Sequence, residues 1–448
     1  MSISRREPVT CGVDIGSTNI KVAALDRAGS VLARASRPTP RDPYELTLDT
    51  RVLFDVVEEL VVEACGNAYA AHALCTVGVG EDGVLVDSDL VPLSAALAWF
   101  DPRRQGVFRV LRPLLSVDEE LDAAADAART MVGWAWARQQ PGTDAAHSWI
   151  AVADLAAVLW TGRLFLSDTL ASRTGAWRAS SRTWSPDRVA LTLGPLGLLP
   201  PVLAAGVVVG PVRSPMLRAA GVVGEDAVAV AGGHDHPVGG WAVDQLEPGS
   251  VLDSMGTAEV IVTQSPLAPS VHRARVDIGP GIRSTGTTVL SVIELARNVA
   301  WAAQDPDVGV WIEALLAGKA RPEPVLEAGY FRPGRRGGNP PSYASDVPRD
   351  RRVKASAVLG ALACEGRDSV DAVSDGTSVS GSSRVLLAGG GSRAPGWVDL
   401  KEAVAGYRSE PIAEPEVTAV GAALLAATAL GWAPDPAAAL GRQRPSTR

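Results

Sequence analysis

A short motif occurs twice in this chain, and it restricts the fold more than any other feature of the sequence. Residues 14–18 read Asp-Ile-Gly-Ser-Thr, and residues 253–257 read Asp-Ser-Met-Gly-Thr. In both copies an apolar run ends at the aspartate, and a second apolar run follows the turn, as is typical of a β-hairpin. The copies lie about half a chain length apart, which favours a duplicated fold with one hairpin in each half.

The rest of the chain is consistent with an α/β fold. Short apolar runs of β type alternate with longer helical segments along the 448 residues. Residues 9–14, 21–26 and 30–35 are predicted to form a three-stranded meander, and one long helix is predicted from residue 116 to about residue 140. The chain length favours two or three domains. We place a hinge at residues 244–249, with an N-terminal domain at 1–244 and a C-terminal domain at 245–448.

Composition limits the partners. The formal net charge is -8 and the sequence shows no basic stripe, so nucleic acid and anionic membrane surfaces are poor candidates. A small anion such as ATP remains possible, because backbone N–H groups bind phosphate even in an acidic protein. The sequence offers no run of about 20 apolar residues that would span a bilayer, and a homodimer is the default assembly.

The cysteines and the N-terminus favour a cytoplasmic protein. Four cysteines are spread along the chain, without a CxxC pair, and their density is far below that of a disulfide scaffold. This usage fits a reducing compartment. The first ten residues carry two arginines, but no apolar run of signal-peptide type follows them.

The first candidate site is the turn at residues 14–18. Gly16 permits a tight turn that exposes N–H groups, Ser17 and Thr18 add hydroxyl donors, and Asp14 can hold Mg²⁺, usually through water. Such a turn can bind phosphate. An ordinary hairpin turn, with the aspartate accepting local N–H bonds, is the alternative. The turn at Gly256 and Thr257 has the same two interpretations.

The second candidate site is the segment at residues 231–240, which holds two of the five histidines. An apolar strand precedes it, so Asp235 is predicted at the end of a strand, where α/β sheets bind ligands. Asp235 can accept the proton of a hydroxyl that attacks phosphorus. Metal binding through His234 and His236 is an alternative, although a third ligand has no obvious neighbour. A structural turn is the other.

Two further segments carry weaker signals. A strand, the residues Gly389, Gly390, Gly391 and Ser392, and then a helix suit a close approach to a nucleotide, although the segment lacks the GK[ST] of a Walker A loop. A plain glycine-rich turn is the alternative there. Trp99, Asp101 and Arg103 supply a flat ring, an acceptor and a forked donor, as a sugar site requires. A core tryptophan beside a solvated turn is the alternative for that segment.

Taken together and in this order, the segments resemble the FGGY carbohydrate kinases of the actin/hexokinase-like ATPase fold. The similarity runs from about residue 9 to residue 427. It includes the first hairpin with a lysine placed like Lys21, the Trp-x-Asp-x-Arg segment, the Gly-Gly-His-Asp segment that ends at Asp235, and the second turn. A segment at 161–174, the three glycines from Gly389 and a closing Gly-Ala-Ala helix at 421–423 complete it.

The resemblance implies an α/β protein with two RNase H-like (actin-like ATPase) domains facing one central cleft, the first for sugar and catalysis and the second for nucleotide. It implies an ATP-dependent kinase of a small sugar or polyol, with a xylulokinase-like ketose kinase favoured. The roles it implies are a general base at Asp235 and Mg²⁺ positioned by Asp14. Phosphates are held by Gly16, Ser17, Thr18, Lys21, Gly256 and Thr257; adenosine by Gly389, Gly390, Gly391 and Ser392; and sugar by Trp99, Asp101, Arg103 and His234.

This chain departs from the family pattern at four places, which leaves the sugar open. The usual Ser-Gly-Gln loop is here Gly80-Glu81-Asp82-Gly83, so that Glu81 and Asp82 are predicted to line the sugar pocket. Gly133 stands where the family has a helical lysine, Gly360 stands where it has a glutamate, and the loop at 332–350 is short. Two other hypotheses remain: a catalytically degenerate sugar- or nucleotide-binding regulator, and an actin-like ATPase.

Overall fold

The structure is a computed structural model, and it describes residues 6–122, 125–256, 258–267, 276–335, 339–375 and 384–441. Its backbone divides into two compact units. The first unit comprises Met1–Leu246, Gly279–Gly286 and Glu416–Arg448, and the second comprises Glu247–Ile278 and Thr287–Pro415.

The strands are numbered in chain order. They are β1 Glu7–Ile15, β2 Asn19–Leu25, β3 Val31–Pro38, β4 Thr47–Leu48, β5 Tyr69–Gly78, β6 Gly83–Val86, β7 Ala96–Leu97, β8 Ser148–Ala151, β9 Leu166–Ser167, β10 Trp177–Arg178, β11 Thr183–Trp184, β12 Val202–Leu203, β13 Val208–Pro211, β14 Val223–His234, β15 Val251–Met255, β16 Glu259–Ser265, β17 Val276–Pro280, β18 Thr287–Ile293, β19 Phe331–Arg332, β20 Ser342–Tyr343, β21 Val385–Ala388 and β22 Ser409–Pro411.

The helices are numbered in the same way. They are α1 Thr50–Cys65, α2 Arg103–Leu111, α3 Glu119–Asp122, α4 Thr130–Ala137, α5 Leu155–Thr161, α6 Asp168–Ala171, α7 Pro186–Thr192, α8 Pro215–Ala219, α9 Asp235–Leu246, α10 Leu295–Ala302, α11 Pro306–Leu316, α12 Arg351–Ser374, α13 Pro395–Ala405, α14 Val417–Ala429 and α15 Pro436–Ala439.

The first unit is built on a six-stranded sheet in the order β13-β14-β5-β1-β2-β3. The predicted meander is present, because β1 pairs antiparallel with β2 and β2 pairs antiparallel with β3. β5 then adds parallel to β1, and β14 adds parallel to β5. β1 and β5 are buried along most of their length, which explains why both read as continuous apolar runs.

The second unit repeats this arrangement in the sheet β17-β18-β16-β15-β21-β22. β15, β16 and β18 form an antiparallel meander. β21 adds parallel to β15, and β22 adds parallel to β21. Both sheets therefore contain the same sequence of three antiparallel strands and two parallel ones, as the repeated motif predicted.

The C-terminal helix α14 closes the first unit on the back of its sheet. A Cβ on Gly12 of β1 would lie 1.9 Å from the carbonyl oxygen of Ala419, so glycine at that position is what admits the helix. Thr10 Oγ1 donates to the carbonyl oxygen of Ala423 (3.0 Å). On its other side α14 approaches α9, where a Cβ on Gly421 would lie 3.0 Å from the carbonyl oxygen of Val238. The closing Gly-Ala-Ala segment thus positions the helix that begins at Asp235.

The division into units differs from the predicted domains at the C-terminus. The first boundary falls after Leu246, inside the segment predicted as a hinge, but Glu416–Arg448 belongs to the first unit and not to the second. The small residues of α14 are the reason. They allow the helix to lie against β1 and α9, and linear position along the chain gives no sign of this return.

The single long helix predicted from residue 116 to about 140 was wrong. The structure has the short helices α3 and α4, separated by a turn at 125–129. Asp118 caps α3 by accepting from the N–H of Leu121 (3.0 Å), and Asp126 accepts from the N–H of Ala128 (2.7 Å). Aspartate side chains that bond nearby backbone groups in this way compete with helix continuation.

The two copies of the motif are out of register by one residue. Ile15 ends β1 and Met255 ends β15, and the next residue in each copy, Gly16 or Gly256, opens the turn. The structural counterpart of Asp14 is therefore Ser254, not Asp253. Because alternate side chains of a strand point to opposite faces, Asp253 lies in the core of the second unit.

Candidate active site

Three parallel strands of the first unit end at one edge of its sheet. Ile15 of β1 and His234 of β14 both pair with Gly78 of β5. Asp14, the loop from Gly80 that follows β5, and Asp235 after β14 therefore meet at this edge, which is where α/β sheets bind ligands. The structure thus brings together the predicted metal residue, the acidic loop and the predicted base.

Asp235 is the first residue of α9 and is largely buried. Its Oδ1 accepts from the backbone N–H of His236 (2.7 Å) and lies 3.3 Å from Nε2 of His234. Burial raises the pKa of Asp235 to about 7, and Glu81 adds to the effect, whereas the bond from His236 and the charge of Arg173 oppose it. A carboxylate with a pKa near 7 is suited to accept a proton at neutral pH.

The strand that delivers Asp235 is held by Thr169 at the start of α6. The backbone N–H of His234 donates to Thr169 Oγ1 (3.0 Å). Gly233 has φ +102°, and a Cβ there would lie 2.1 Å from Thr169 Oγ1, so only glycine fits. Gly232 is required for a separate reason, because a Cβ there would lie 2.2 Å from the carbonyl oxygen of Thr76.

The environment of the two histidines of the segment favours their neutral forms. Burial lowers the pKa of His234 well below its usual value, and it lowers the pKa of His236 to about 4. Within the part of the chain that the structure describes, no group of three His, Cys, Asp or Glu side chains could hold a metal ion. The geometry therefore gives no support to a metal site at His234 and His236.

Asp14 lies near the end of β1 and is almost fully buried. Among the described residues its Oδ1 has no hydrogen-bond partner. Burial raises the pKa of Asp14 to about 7, and the charges of Asp235 and Glu416 raise it further, against the pull of Lys21. Lys21 is the cross-strand partner of Asp14, and its Nζ lies 2.6 Å from Glu416 Oε2.

The turn after Asp14 is held by its carbonyl groups. The carbonyl oxygen of Gly16 accepts from Thr39 Oγ1 (2.8 Å), that of Thr18 from the N–H of Thr39 (2.9 Å), and that of Ser17 from Nε of Arg41 (3.2 Å). An anion needs N–H groups and is repelled by carbonyl oxygens. Engaged carbonyl oxygens are compatible with the predicted phosphate site, but the N–H of Gly16 is itself bonded to the carbonyl oxygen of Asn19 (3.0 Å).

The acidic loop is organised by arginines. Glu81 pairs with Arg173, whose Nε lies 2.8 Å from Oε1, and both side chains are nearly buried. Asp82 is fully buried and pairs with Arg41 (2.6 Å). Asp82 has no exposed surface, so its contact with a sugar stays a prediction. What the structure shows of Asp82 is its ion pair.

A third arginine near the acidic loop explains one departure from the family pattern. Arg104 is almost fully buried, lies 4.0 Å from Asp82, and donates to the backbone oxygens of Ala98 and Leu97. A Cβ on Gly133 would lie 3.0 Å from Arg104 Nη2. The glycine that replaces the usual lysine therefore makes room for this arginine.

The Trp99 segment adjoins the turn predicted to bind phosphate. Trp99 Nε1 donates to Ser17 Oγ (2.7 Å). Asp101 is buried and accepts from the backbone N–H, Nε and Nη2 of Arg103 (2.8–3.0 Å). Asp101 and Arg103 are thus bonded to each other, and their contact with a sugar stays a prediction, whereas Trp99 is joined directly to the turn.

In the second unit the two predicted nucleotide turns lie together on Met255. A Cβ on Gly391 would lie 2.7 Å from Met255 Cβ, and one on Gly389 (φ +82°) would lie 2.5 Å from the Met255 carbonyl oxygen. Gly390 faces open space, and Ser392 Oγ donates to the carbonyl oxygen of Gly389 (2.7 Å). Gly256 follows Met255 directly, while Thr257 lies outside the described residues.

Sequence reasoning assigned no role to several residues around the edge. Arg41, Arg104, Thr169, Arg173 and Glu416 each bond a predicted site residue or its backbone. An arginine can be assigned to the acidic loop only when the fold shows that the two lie close together in space. In sequence these arginines lie from about 20 to about 90 residues away from Glu81 and Asp82.

Residues 9–240, half of the chain, match the FGGY family of carbohydrate kinases, N-terminal domain. The chain belongs to the FGGY family of carbohydrate kinases. It is a sugar kinase, a phosphotransferase that uses ATP, which sets aside the actin-like ATPase hypothesis.

Relatives with different acceptors are similar to this FGGY chain. It is 28% identical to a xylulose kinase of Streptomyces rubiginosus, over 96% of this chain and 90% of that protein. It is 27% identical to a glycerol kinase of Gloeobacter violaceus, over 94% and 88%. It is 25% identical to L-fuculokinase of Escherichia coli (strain K12), over 67% and 68%.

Solved structures confirm the fold. A gluconate kinase from Lactobacillus acidophilus superposes with a TM-score of 0.81 at 17% identity, covering 98% of this chain and 92% of that one. A xylulose kinase from Rhodospirillum rubrum gives 0.78 at 23%, covering 97% and 96%. The predicted actin-like ATPase fold is therefore confirmed. Among the helices in the described part of the chain, none is long and apolar enough to cross a membrane.

Proposed function

We propose that this FGGY kinase transfers the γ-phosphoryl group of MgATP to a hydroxyl of a small ketose or polyol, with Asp235 as the general base. The observation that carries the proposal is the environment of Asp235. It is a buried carboxylate at the carboxyl edge of the sheet, with its pKa raised to about 7 and Asp14 close enough to interact with it electrostatically.

In the proposed step the oxygen of the sugar hydroxyl attacks the γ-phosphorus. The new O–P bond forms as the bond from the γ-phosphorus to the bridging oxygen breaks, and ADP carries away that electron pair. Asp235 accepts the hydroxyl proton. Neutral His234 and His236 flank Asp235, so no histidine charge competes with the proton transfer.

The first unit fits a magnesium ion held partly by the nucleotide. Mg²⁺ is bound in kinases by one or two carboxylates together with substrate phosphates and water. Asp14 supplies one such carboxylate, buried and with its Oδ1 unpartnered among the described residues. The ion, when bound, neutralises charge that develops on the phosphates. We assign phosphate binding to the turn at Ser17 and Thr18 and to the turn at Gly256. We assign adenosine binding to the open face at Gly390.

The acceptor is proposed to be uncharged. Glu81 and Asp235 place two carboxylates at this edge, and Arg173 is already paired with Glu81. A sugar carboxylate would therefore meet negative charge, whereas hydroxyl groups would find acceptors. Ketoses and polyols meet this requirement, and the named acceptors of the xylulose and glycerol kinases similar to this chain fall in the same classes.

A coupled assay of ADP release tests the acceptor class. The purified protein with MgATP is offered ketopentoses, ketohexoses, deoxyketoses, polyols, aldoses and one aldonate. Turnover with a ketose or polyol, and none with the aldonate, is the expected result. Turnover with the aldonate alone would refute the neutral acceptor. Tight sugar binding by calorimetry without turnover on any compound would favour the regulator hypothesis instead.

A further inference from the structure

Outside the edge that carries Asp235, a dense group of charged side chains is buried in the second unit. Lys401 of α13 contacts both Asp253 Oδ2 and Glu259 Oε1 through its Nζ. The exposed fractions of the three side chains are 3% for Lys401 and 0% for the two carboxylates. Nothing in the proposed transfer step uses them.

The three charges join the segments that carry the two nucleotide turns. Asp253 belongs to β15, which ends at Met255, and Glu259 begins β16 directly after the turn that Gly256 opens. Across the two strands Met255 pairs with Glu259. Lys401 lies on α13, the helix that follows the glycine turn Gly390–Arg393.

A second layer connects Lys401 to the same turns. Trp397 lies one helical turn before Lys401, and the Lys401 ammonium sits 5.6 Å from the centre of its ring. Trp397 Nε1 lies 3.1 Å from Met255 Sδ. Gly389 and Gly391 in turn pack closely against Met255. Lys401, Trp397 and Met255 thus form a continuous chain of contacts that packs against both turns.

The charges of these three side chains are incompletely paired, so burying them costs folding free energy. Asp253 Oδ1 and Glu259 Oε2 have no hydrogen-bond partner among the described residues. Burial raises the pKa of Glu259 to about 7, and Asp253 adds to the effect, against the pull of Lys401. Apolar side chains of similar volume often serve stability as well as buried ion groups do, and buried ions are best attested as devices that fix register.

We propose that Lys401 is a positioning residue for nucleotide binding: by bridging Asp253 and Glu259 it fixes the turn at Gly256 against the glycine turn at 389–391. The inference rests on the proposed assignment of these two turns to ATP. A shift of either turn would misplace the backbone groups offered to the nucleotide, while the sugar-facing edge of the first unit would be unaffected.

The test compares nucleotide and sugar binding in folded variants. Lys401→Met removes the ammonium and keeps the length of the side chain, and Glu259→Gln removes one carboxylate charge and leaves Lys401 paired with Asp253. Arg351→Met is the matched control, because Arg351 also lies between two carboxylates, Asp305 and Asp307, but on the exposed start of α12. ATP binding is measured by titration calorimetry, and KM is measured for ATP and for the sugar.

We expect Lys401→Met and Glu259→Gln to weaken ATP binding and raise KM for ATP by roughly 3- to 30-fold, with KM for the sugar changed less than about twofold. Arg351→Met should change neither. Unchanged ATP affinity in a folded variant would overturn the inference, and so would a parallel rise of both KM values. If Lys401→Met does not fold, Glu259→Gln decides alone. Because ATP binding is measured without turnover, a wild-type protein that binds ATP but phosphorylates nothing would count against the proposed function only.

Discussion

The indole nitrogen of Trp99 donates a hydrogen bond to the hydroxyl of Ser17, with 2.7 Å between Nε1 and Oγ. Trp99 belongs to the segment predicted to face the sugar, and Ser17 belongs to the turn predicted to hold phosphate. One bond therefore ties the acceptor side of the site to the donor side within the first unit.

This bond predicts coupling between the two residues. Trp99→Phe and Ser17→Ala each remove it, so their effects on kcat/KM should not add. A double-mutant cycle should give a coupling free energy of about 1 kcal/mol, the usual net worth of such a bond. The measurement is kcat/KM for sugar at saturating ATP in the two single variants and the double one. Strict additivity would mean that the bond does not contribute to the active enzyme.

The raised pKa values of the two aspartates predict the pH profile. Burial raises the pKa of both Asp14 and Asp235 to about 7. The base must be unprotonated to accept the hydroxyl proton, so activity should be lost as the pH falls through 7. We expect kcat/KM to fall at least about tenfold per pH unit below that point and to be level above it. The two groups titrate as a pair, so a steeper fall reports that both are required.

A profile of kcat/KM from pH 5 to pH 9 checks this, with the coupling enzymes shown not to limit the rate. Glu81→Gln is a useful companion, because the Glu81 charge contributes to raising the pKa of Asp235. Its acid limb should lie at lower pH than that of the wild type. Full activity of the wild type at pH 5 would contradict the account.

The same shifts predict that the site is kept at the expense of stability. An unfolded aspartate has a pKa of about 3.9. Between that value and about 7 the folded protein binds more protons at Asp14 than the unfolded chain does. Stability from this group therefore rises as the pH falls through 7, and it is lowest above pH 7, where the buried carboxylate is charged.

Asp14→Asn should accordingly stabilise the protein at pH 8, by roughly 1–4 kcal/mol, and by clearly less at pH 5, where the folded carboxyl is protonated and only the unfolded one is still ionised. Urea unfolding at the two pH values measures the difference. Asp55→Asn, on an outer position of α1, serves as the control and should change stability at neither pH. Equal stability of wild type and Asp14→Asn at pH 8 would show that Asp14 is not charged and buried in the folded protein.

The opening strands and their turn could be predicted from the sequence, because the signals for them lie in neighbouring residues. The first two predicted strands of the opening meander are mostly apolar runs, and Gly16 marks the turn between them. The position of Asp235 at the end of a strand also followed from such a run. Periodicity and turn residues act over a few positions, so they can be read without knowing the fold.

The features that the sequence did not predict depend on contacts between segments that are distant along the chain. Asp253 matched Asp14 in letters, but a shift of one residue turned it to the opposite face, where it meets Lys401. The sequence likewise showed no sign that Arg41 pairs with Asp82 in the interior. A buried ion pair becomes visible only when the fold brings its partners together.

The ion pair of Asp82 predicts a loss of stability that removal of its partner should reveal. Arg41→Met leaves the fully buried Asp82 with Arg104 at 4.0 Å in place of its 2.6 Å contact, which should cost up to about 3–5 kcal/mol. Arg41→Met/Asp82→Asn removes the charge as well and should recover part of that loss. Denaturant unfolding of both variants provides the comparison. A double variant less stable than Arg41→Met would show that the charge of Asp82 is not the source of the loss.

The role of Asp235 is tested most directly by Asp235→Asn, an isosteric change that removes the base. Turnover with the acceptor found in the panel should fall by roughly 10²- to 10⁴-fold, while ATP and sugar still bind as in the wild type by calorimetry. That result would establish Asp235 as the base of this kinase. Near-normal turnover by Asp235→Asn would contradict the central claim, because the proposed mechanism assigns the hydroxyl proton to no other group.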